Sequence, residues 1–527
     1  MGFDVVIRGG TALDGLGGEP VRADVGVQGD RIEAIAPNLA ARGTRTLDAG
    51  GLAIAPGFID IHTHGDIYPL ICPESPARLH DGVTTEVVGN CGESPFPQNA
   101  TMLGKRRASA ERYGIVVDWQ TLDDFARRQG AVGSGINRAS LVGHSNVRET
   151  VLDEVDRDPS AEELAAMRRL AAEALEAGAF GLSTGLIYAP GMFAKPREIE
   201  ALAEVVARRG ALYASHVRGE GDHVEEAVDE FLAVGRKTGV RLQLSHVKVA
   251  GQSNWAKADR IIERLEAARA EGLDLACDRY PYVAAATSLS SLLPGWAREG
   301  GTDRMIQRIA DPATRTRMLA EVEREGEAGW RGVVIADAGC PKWKHAEGRS
   351  VHDLGAAAGR PPAEVVLDLL TASESRASII VFSMCEENLV KWLRLPYVAI
   401  GSDSVTRSAE GPTAVGKPHP RSYGTSSRVL GRYVREQGVL ALPDAVRRLT
   451  SLPASRLGMM QRGVLRAGAF ADVTVFDPRT IADRATYEFP QQYSVGVRHV
   501  LVNGRIAVEE GELTGVRAGR FLRRGHE

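Results

Sequence analysis

The chain has no apolar run approaching the roughly 20 residues that a membrane-spanning helix needs; its longest runs are strand-sized. It has no excess of one charge either. Its Lys and Arg number 64 against 68 Asp and Glu, a formal net charge of −4, so the basic footprint of a nucleic-acid binder is missing. Membrane and nucleic-acid partners are set aside on these grounds. Cysteine is sparse. Cys72, Cys91, Cys277, Cys340 and Cys385 are scattered and odd in number, which argues for reduced thiols and against a disulfide framework. The opening Met1-Gly2-Phe3-Asp4-Val5-Val6-Ile7-Arg8 lacks the basic region and cleavage site of a signal peptide. Together these features predict a cytoplasmic protein. What is present is 43% hydrophobic and 25% charged over 527 residues, a globular composition with length for one large domain and a small one.

Residues 1–56 alternate short apolar segments with Gly and Asp turns, as in Val5-Val6-Ile7, Val25-Gly26-Val27 and Ile32–Ile35. Residues 457–527 have the same texture, in Ala471–Asp477 and Val497–Gly504. Many short strands at close spacing predict an all-β unit, and the two ends are expected to fold together as one discontinuous β-sandwich. Between 57 and 456 the rhythm changes to strand, loop and helix in repetition. One helix is explicit: Ser160 caps it with Glu163 three residues later, Leu164, Met167, Ala171, Ala174 and Leu175 form its apolar stripe, and Gly178 ends it. Such βα repetition argues for a parallel sheet, and the number of units favours a closed (β/α)8 TIM-type barrel. Residues 284–340 interrupt the rhythm and read as an insertion at the active-site end; the Gly-, Pro- and Ser-rich segment 406–425 is expected to flank the same end.

Metal-ligand residue types stand where the apolar strands end. Ile54–Ile61 runs into His62-Thr63-His64, Val83–Gly89 into Asn90-Cys91-Gly92, Leu212–Ser215 into His216, Arg241–Ser245 into His246, and Tyr397–Ser402 into Asp403. Side chains alternate faces along a strand, so His62 and His64 share one face and can grip one ion. Imidazole, thiolate and carboxylate together suit zinc, and ligands at the carboxyl ends of several strands suit the mouth of a barrel.

The run Pro56-Gly57-Phe58-Ile59-Asp60-Ile61-His62-Thr63-His64, with Pro453–Gly458 and Ala471–Asp477 near the other end, resembles the amidohydrolase superfamily over almost the whole chain. Many of its binuclear members carry a bridging carboxylated lysine on the fourth strand. Here the candidate strand, Gly178–Leu186, has none, and Cys91 is the replacement bridge. Val88-Gly89-Asn90-Cys91-Gly92, Ser183–Gly191, His216-Val217-Arg218, Ser245-His246-Val247-Lys248 and Asp278-Arg279-Tyr280-Pro281-Tyr282 resemble the D-aminoacylase branch, which hydrolyses N-acyl-D-amino acids. The resemblance implies a tight zinc held by Cys91, His216 and His246 and a weaker site from His62, His64, Cys91 and Asp403. It also implies that Asp403 takes the proton of the attacking water and passes it to the leaving amine.

The same resemblance implies that Lys248 and Tyr280 bind the substrate α-carboxylate, with Ser288 a further candidate; Tyr282, at the same strand end, is read as a substrate contact, and Tyr188 as orienting the acyl or tetrahedral oxygen. His144 also ends a strand and reads either as a pocket residue or as a structural one. Within 284–345, Leu292, Leu293, Trp296 and Trp343 point to apolar substrates, and Arg298 and Lys344 to acidic ones. The rival readings are a cyclic amidase of hydantoinase or dihydroorotase type, against which the missing lysine counts, and an inactive dihydropyrimidinase-like scaffold, against which the complete ligand set counts.

Overall fold

The computed structural model describes residues 2–40, 43–111, 113–323 and 326–526. Met1 of the opening segment and residues 41, 42, 324 and 325 of the two β-rich and inserted regions read above lie outside the described residues. Among the described residues no helix is long and apolar enough to cross a membrane.

Eight parallel strand positions make the barrel. Phe58–Asp60, Val83–Val88 and Asn137–Ser140 pair in order, and after Leu141 the third continues as Val142–Gly143. The order then runs through Gly181–Gly185, Leu212–His216, Arg241–Leu244, Leu275–Arg279 and Val398–Ile400. The ring closes where Thr63 bridges Ser404 in parallel, beyond the ends of the first and last strands. These strands are buried on both faces, as a parallel sheet under helices requires. The helix after the third position, Ala161–Glu176, carries the expected capping box. The Glu163 amide donates to Ser160 Oγ at 3.2 Å, and the Ser160 amide to Glu163 Oε2 at 2.7 Å. Met167, Ala171, Ala174 and Leu175 are buried as its stripe, while Leu164 is only half-buried.

Two expectations need correction. Ile54–Ile61 is not one strand: Ala53–Pro56 and Phe58–Asp60 belong to different sheets, divided at Gly57. A Cβ on Gly57 would lie 2.2 Å from Thr84 Oγ1, so only glycine lets the chain pass between the sheets here. The insertion is also longer than 284–340. Its antiparallel sheet joins Ala284–Ser288 and Val333–Asp337 to Ser378–Phe382, which lies between them. Helices such as Gly301–Ala310, Pro312–Val322 and Pro362–Ser373 pack on it around Met305, Ile309, Met318, Leu367 and Ile379. The whole excursion leaves and re-enters between two barrel strands that are direct neighbours.

Both chain ends enter one continuous nine-stranded sheet, in which Val473–Phe476 pairs antiparallel with Ala53–Pro56 and with Val497–Val502. Alternation divides its faces. Ile54 and Leu501 pack with Val5, Ile7, Val25 and Val475, while Ala53, Ala55, Val500 and Val502 face Leu389, Leu430 and Tyr433 on the barrel side.

Candidate metal centre and pocket

At the carboxyl ends of the barrel strands the predicted ligands meet in two sets, His62, His64, Cys91 and Asp403, and Cys91, His216 and His246. Within each set the candidate ligand atoms lie within 4.8 Å of one another. Cys91 Sγ is 3.3 Å from His62 Nε2 and 3.4 Å from His246 Nε2. Asp403 Oδ1 is 3.1 Å from His64 Nε2 and 3.5 Å from His62 Nε2. Three of these residues stand in left-handed backbone, Cys91 at φ 50°, His246 at φ 36° and Asp403 at φ 51°. Such strain persists in non-glycine residues only where the surroundings fix it, and it gathers at functional sites.

Small neighbours let the thiol reach the centre. The Gly92 amide donates to Ser183 Oγ at 3.0 Å, and a Cβ on Gly185 would sit 2.0 Å from the Cys91 carbonyl oxygen. A lysine-free fourth strand with glycine at its end thus makes room for the Cys91 backbone.

Carboxylates stand behind the imidazoles. Asp278 Oδ1 lies 3.0 Å from His62 Nδ1 and accepts the His246 amide at 2.8 Å. Glu220 Oε1 lies 3.2 Å from His246 Nδ1 and 3.5 Å from His216 Nε2. For His62, an Nδ1–H directed at Asp278 leaves the Nε2 lone pair toward the ligand cluster, which is the orientation a metal-binding histidine needs. Neither ring nitrogen of buried His216 makes a hydrogen bond. That orphaned donor set, with a thiol, three further imidazoles and a carboxylate, fits a zinc ion.

The electrostatics agree. Burial pushes the Cys91 thiol up, but the His62 and His246 charges outweigh it and hold it well below the usual thiol range. Burial likewise pushes Asp403 up, while Arg421, His246 and His64 hold it well below the usual carboxylate range. Both shifts favour the anionic form that metal binding requires, with the ring protons of His62 and His246 released as a cation binds.

A cavity of about 270 Å³ opens over the centre, lined by His64, Cys91, Tyr188, Ser288, Asp403 and Arg421 among others. Tyr188 lies on His216, ring centroids 5.2 Å apart, with its hydroxyl 3.2 Å from Thr287 Oγ1. Burial, then the Cys91 charge, push its phenol well above the usual range, so it is a hydrogen-bond donor. Of the five expected substrate residues, Tyr188 and Ser288 line this cavity. Lys248, Tyr280 and Tyr282 are buried and not among its lining residues. The Lys248 ammonium bonds Glu220 and lies 2.7 Å from His246 Nδ1, beside the candidate ligands. His144 is tied to Glu198 at 2.7 Å and is not among the cavity-lining residues.

Sequence reasoning missed Arg421. Its guanidinium reaches Asp403 Oδ2 at 2.8 Å and the Ala286 carbonyl at 3.2 Å, and its amide donates to His419 Nδ1 at 3.0 Å. The signal available was its position in the 406–425 segment. Asp278 stood inside a quoted motif, and Glu220 had no signal at all.

The amidohydrolase family profile matches residues 45–508. The chain belongs to the amidohydrolase family. This amidohydrolase is 41% identical over 525 residues to an N-acyl-D-glutamate deacylase of Alcaligenes xylosoxydans xylosoxydans, covering 99% of this chain and 97% of that one. It is 36% identical over 523 residues to a D-aminoacylase of the same organism, covering 99% and 98%. A solved structure of N-acyl-D-glutamate deacylase from Bordetella bronchiseptica superposes with a TM-score of 0.84 at 35% identity, covering 99% of the amidohydrolase and 100% of that chain. That structure holds zinc and a phosphonate inhibitor that mimics the tetrahedral intermediate.

Proposed function

We propose that this amidohydrolase cleaves the amide bond of N-acyl-D-amino acids, giving a carboxylate and a free D-amino acid. The observation that carries the reading is the pair of ligand sets sharing Cys91 at the floor of a pocket whose wall presents Asp403 and Arg421. The deacylase relatives described above support the substrate class.

Cys91, His216 and His246 would hold the tight zinc, and His62, His64, Cys91 and Asp403 the weaker site. Bound zinc supplies a Lewis acid for the amide carbonyl and acidifies water. The chain's own residues do the rest. Asp403, kept ionised by Arg421 and the histidines, accepts a proton from water as its oxygen bonds the carbonyl carbon. It returns that proton to the amide nitrogen as the carbon–nitrogen bond breaks. Tyr188 donates a hydrogen bond toward the oxygen that gains charge. Arg421 places a buried cation where the substrate carboxylate enters, a charge-assisted contact with a fixed planar fork. Lys248, beside Glu220 and His246, supplies a second cation for the substrate α-carboxylate.

A panel of N-acetyl-D- and L-amino acids assayed with added zinc tests the reading. Turnover of the D forms of methionine, glutamate or aspartate, with their L forms slower, is the expected result. Faster turnover of the L forms sinks it, and ring-opening of hydantoin in their place would make the enzyme a cyclic amidase.

A further inference from the structure

Below the centre lies a buried charge cluster that the reaction does not use. Arg78, on the short helix Pro76–His80, is 3% exposed and Glu86, on the second barrel strand, 0%. Every partner of Arg78 lies on a segment that delivers a candidate ligand. Its Nη1 is 3.2 Å from Asp60 Oδ2, on the strand that delivers His62 and His64. Its Nε donates to Glu86 Oε2 at 3.1 Å, on the strand that delivers Cys91. Its Nη1 and Nη2 donate to Ser402 Oγ at 3.1 Å and to the Ser404 carbonyl at 2.9 Å, on either side of Asp403.

The same groups tie the first strand to the last. The Ser404 carbonyl also accepts the His64 amide at 3.0 Å, the Asp403 amide donates to the His62 carbonyl at 2.8 Å, and Asp60 Oδ1 accepts the Ser402 amide at 2.8 Å. Glu86 is saturated in turn by Arg138 Nε at 2.7 Å and by Thr406 Oγ1 at 2.9 and 3.0 Å. It lies so close under Gly65 that a Cβ there would be 2.7 Å from its Oε1.

We propose that Arg78, backed by Glu86, is a positioning residue that clamps the Asp403 loop onto the His62–His64 segment, setting both the affinity of the second metal set and the aim of the Asp403 carboxylate. This rests on the metal and proton-transfer roles given above. A planar guanidinium meets four partners at once in fixed directions, and an ammonium cannot. The left-handed Asp403 backbone is thereby held from below by hydrogen bonds to both its neighbours.

The test uses the full-length enzyme as Arg78→Lys, which keeps a charge against the two buried carboxylates, and as Ser402→Ala, which removes one partner. Zinc affinity is measured by competition with a chelator, and kcat and KM with one equivalent of zinc. In Arg78→Lys the tight equivalent should be unchanged, the second held about 10–100-fold more weakly, and kcat reduced by a similar factor. KM should stay within about twofold, since substrate binding is not what the clamp supplies. Ser402→Ala should move the second equivalent in the same direction, and it decides alone if Arg78→Lys does not fold. Wild-type affinity for the second equivalent in a folded variant overturns the proposal, as does a wild-type enzyme that takes up no second equivalent. An enzyme that binds two zinc ions yet deacylates nothing in the substrate panel would sink the functional reading while leaving the clamp to be judged by metal affinity.

Discussion

Chemistry can separate the two duties proposed for Asp403. Asn at this position keeps the size and one oxygen but cannot accept a proton at neutral pH. The tight set of Cys91, His216 and His246 does not include it. Asp403→Asn is therefore expected to fold, to keep one zinc and to lose about 10²–10⁴ in kcat; metal analysis beside steady-state kinetics checks this, and near-wild-type kcat would leave the reaction without an identified base. The convergence of the candidate ligands was legible in the sequence because each ends or follows an apolar strand, and strand ends of a parallel barrel converge. Lys248 was read from its place two residues past His246, but its partner was not. Register fixes which face a side chain takes, and only the fold brings Glu220 in to capture the ammonium. Arg421 was not read because it comes from a loop, where no periodicity tells which side chain turns inward.

Elements meet at this centre through glycine. Gly185 ends the fourth strand, and any side chain there would press on the Cys91 carbonyl. Overpacking of this kind costs about 1–3 kcal/mol, and here the strain falls on a ligand. Gly185→Ala should lower zinc affinity at least about tenfold, in the range seen when the support of a ligand is disturbed. Unchanged chelator competition in a folded Gly185→Ala enzyme would refute that role. The helix Ala161–Glu176 was readable to within a residue or two because its cap and its stop are written locally. The strand break at Gly57 was not, since an unbroken apolar run carries no mark of a change of sheet beyond Pro56-Gly57 itself. Nor was the full excursion, because the pairing of Ser378–Phe382 with strands on both sides of it is long-range.

In the whole molecule the last residues reach the barrel floor. Leu522 is 3% exposed and packs with Ile59, Val87, Ala139, Phe180 and Ala399 from the barrel strands. Its amide donates to the Arg138 carbonyl at 2.7 Å, and the Arg138 amide to the Arg520 carbonyl at 2.8 Å. Leu522→Ala should cost about 2–5 kcal/mol of stability while leaving kcat and zinc content unchanged. Denaturant unfolding measures the first, and an unchanged midpoint would show that the floor does not depend on the tail. Fold class was legible from the βα rhythm, and so was the kinship of the two chain ends, since both share a texture of short strands. The tail's place under the barrel was not, because a single leucine among arginines has no pattern to announce it.

The seam where the barrel closes also sets an order of assembly. His64 and Asp403 are 339 residues apart in the chain, whereas Cys91 and His246 are 155 apart. During synthesis the loop that needs the later residues closes later, and on dilution from denaturant the longer loop carries the larger closure entropy. The Cys91, His216 and His246 set is thus complete while the excursion and the last strand are still to be added. Metal capture should then precede the return of activity, with zinc acting on an unfinished barrel and Asp403 arriving as the closing piece. Refolding in cobalt, followed by its thiolate absorbance and by recovered turnover, should give a faster optical phase and a slower catalytic one; simultaneous phases would mean that the centre and the seam form in one step.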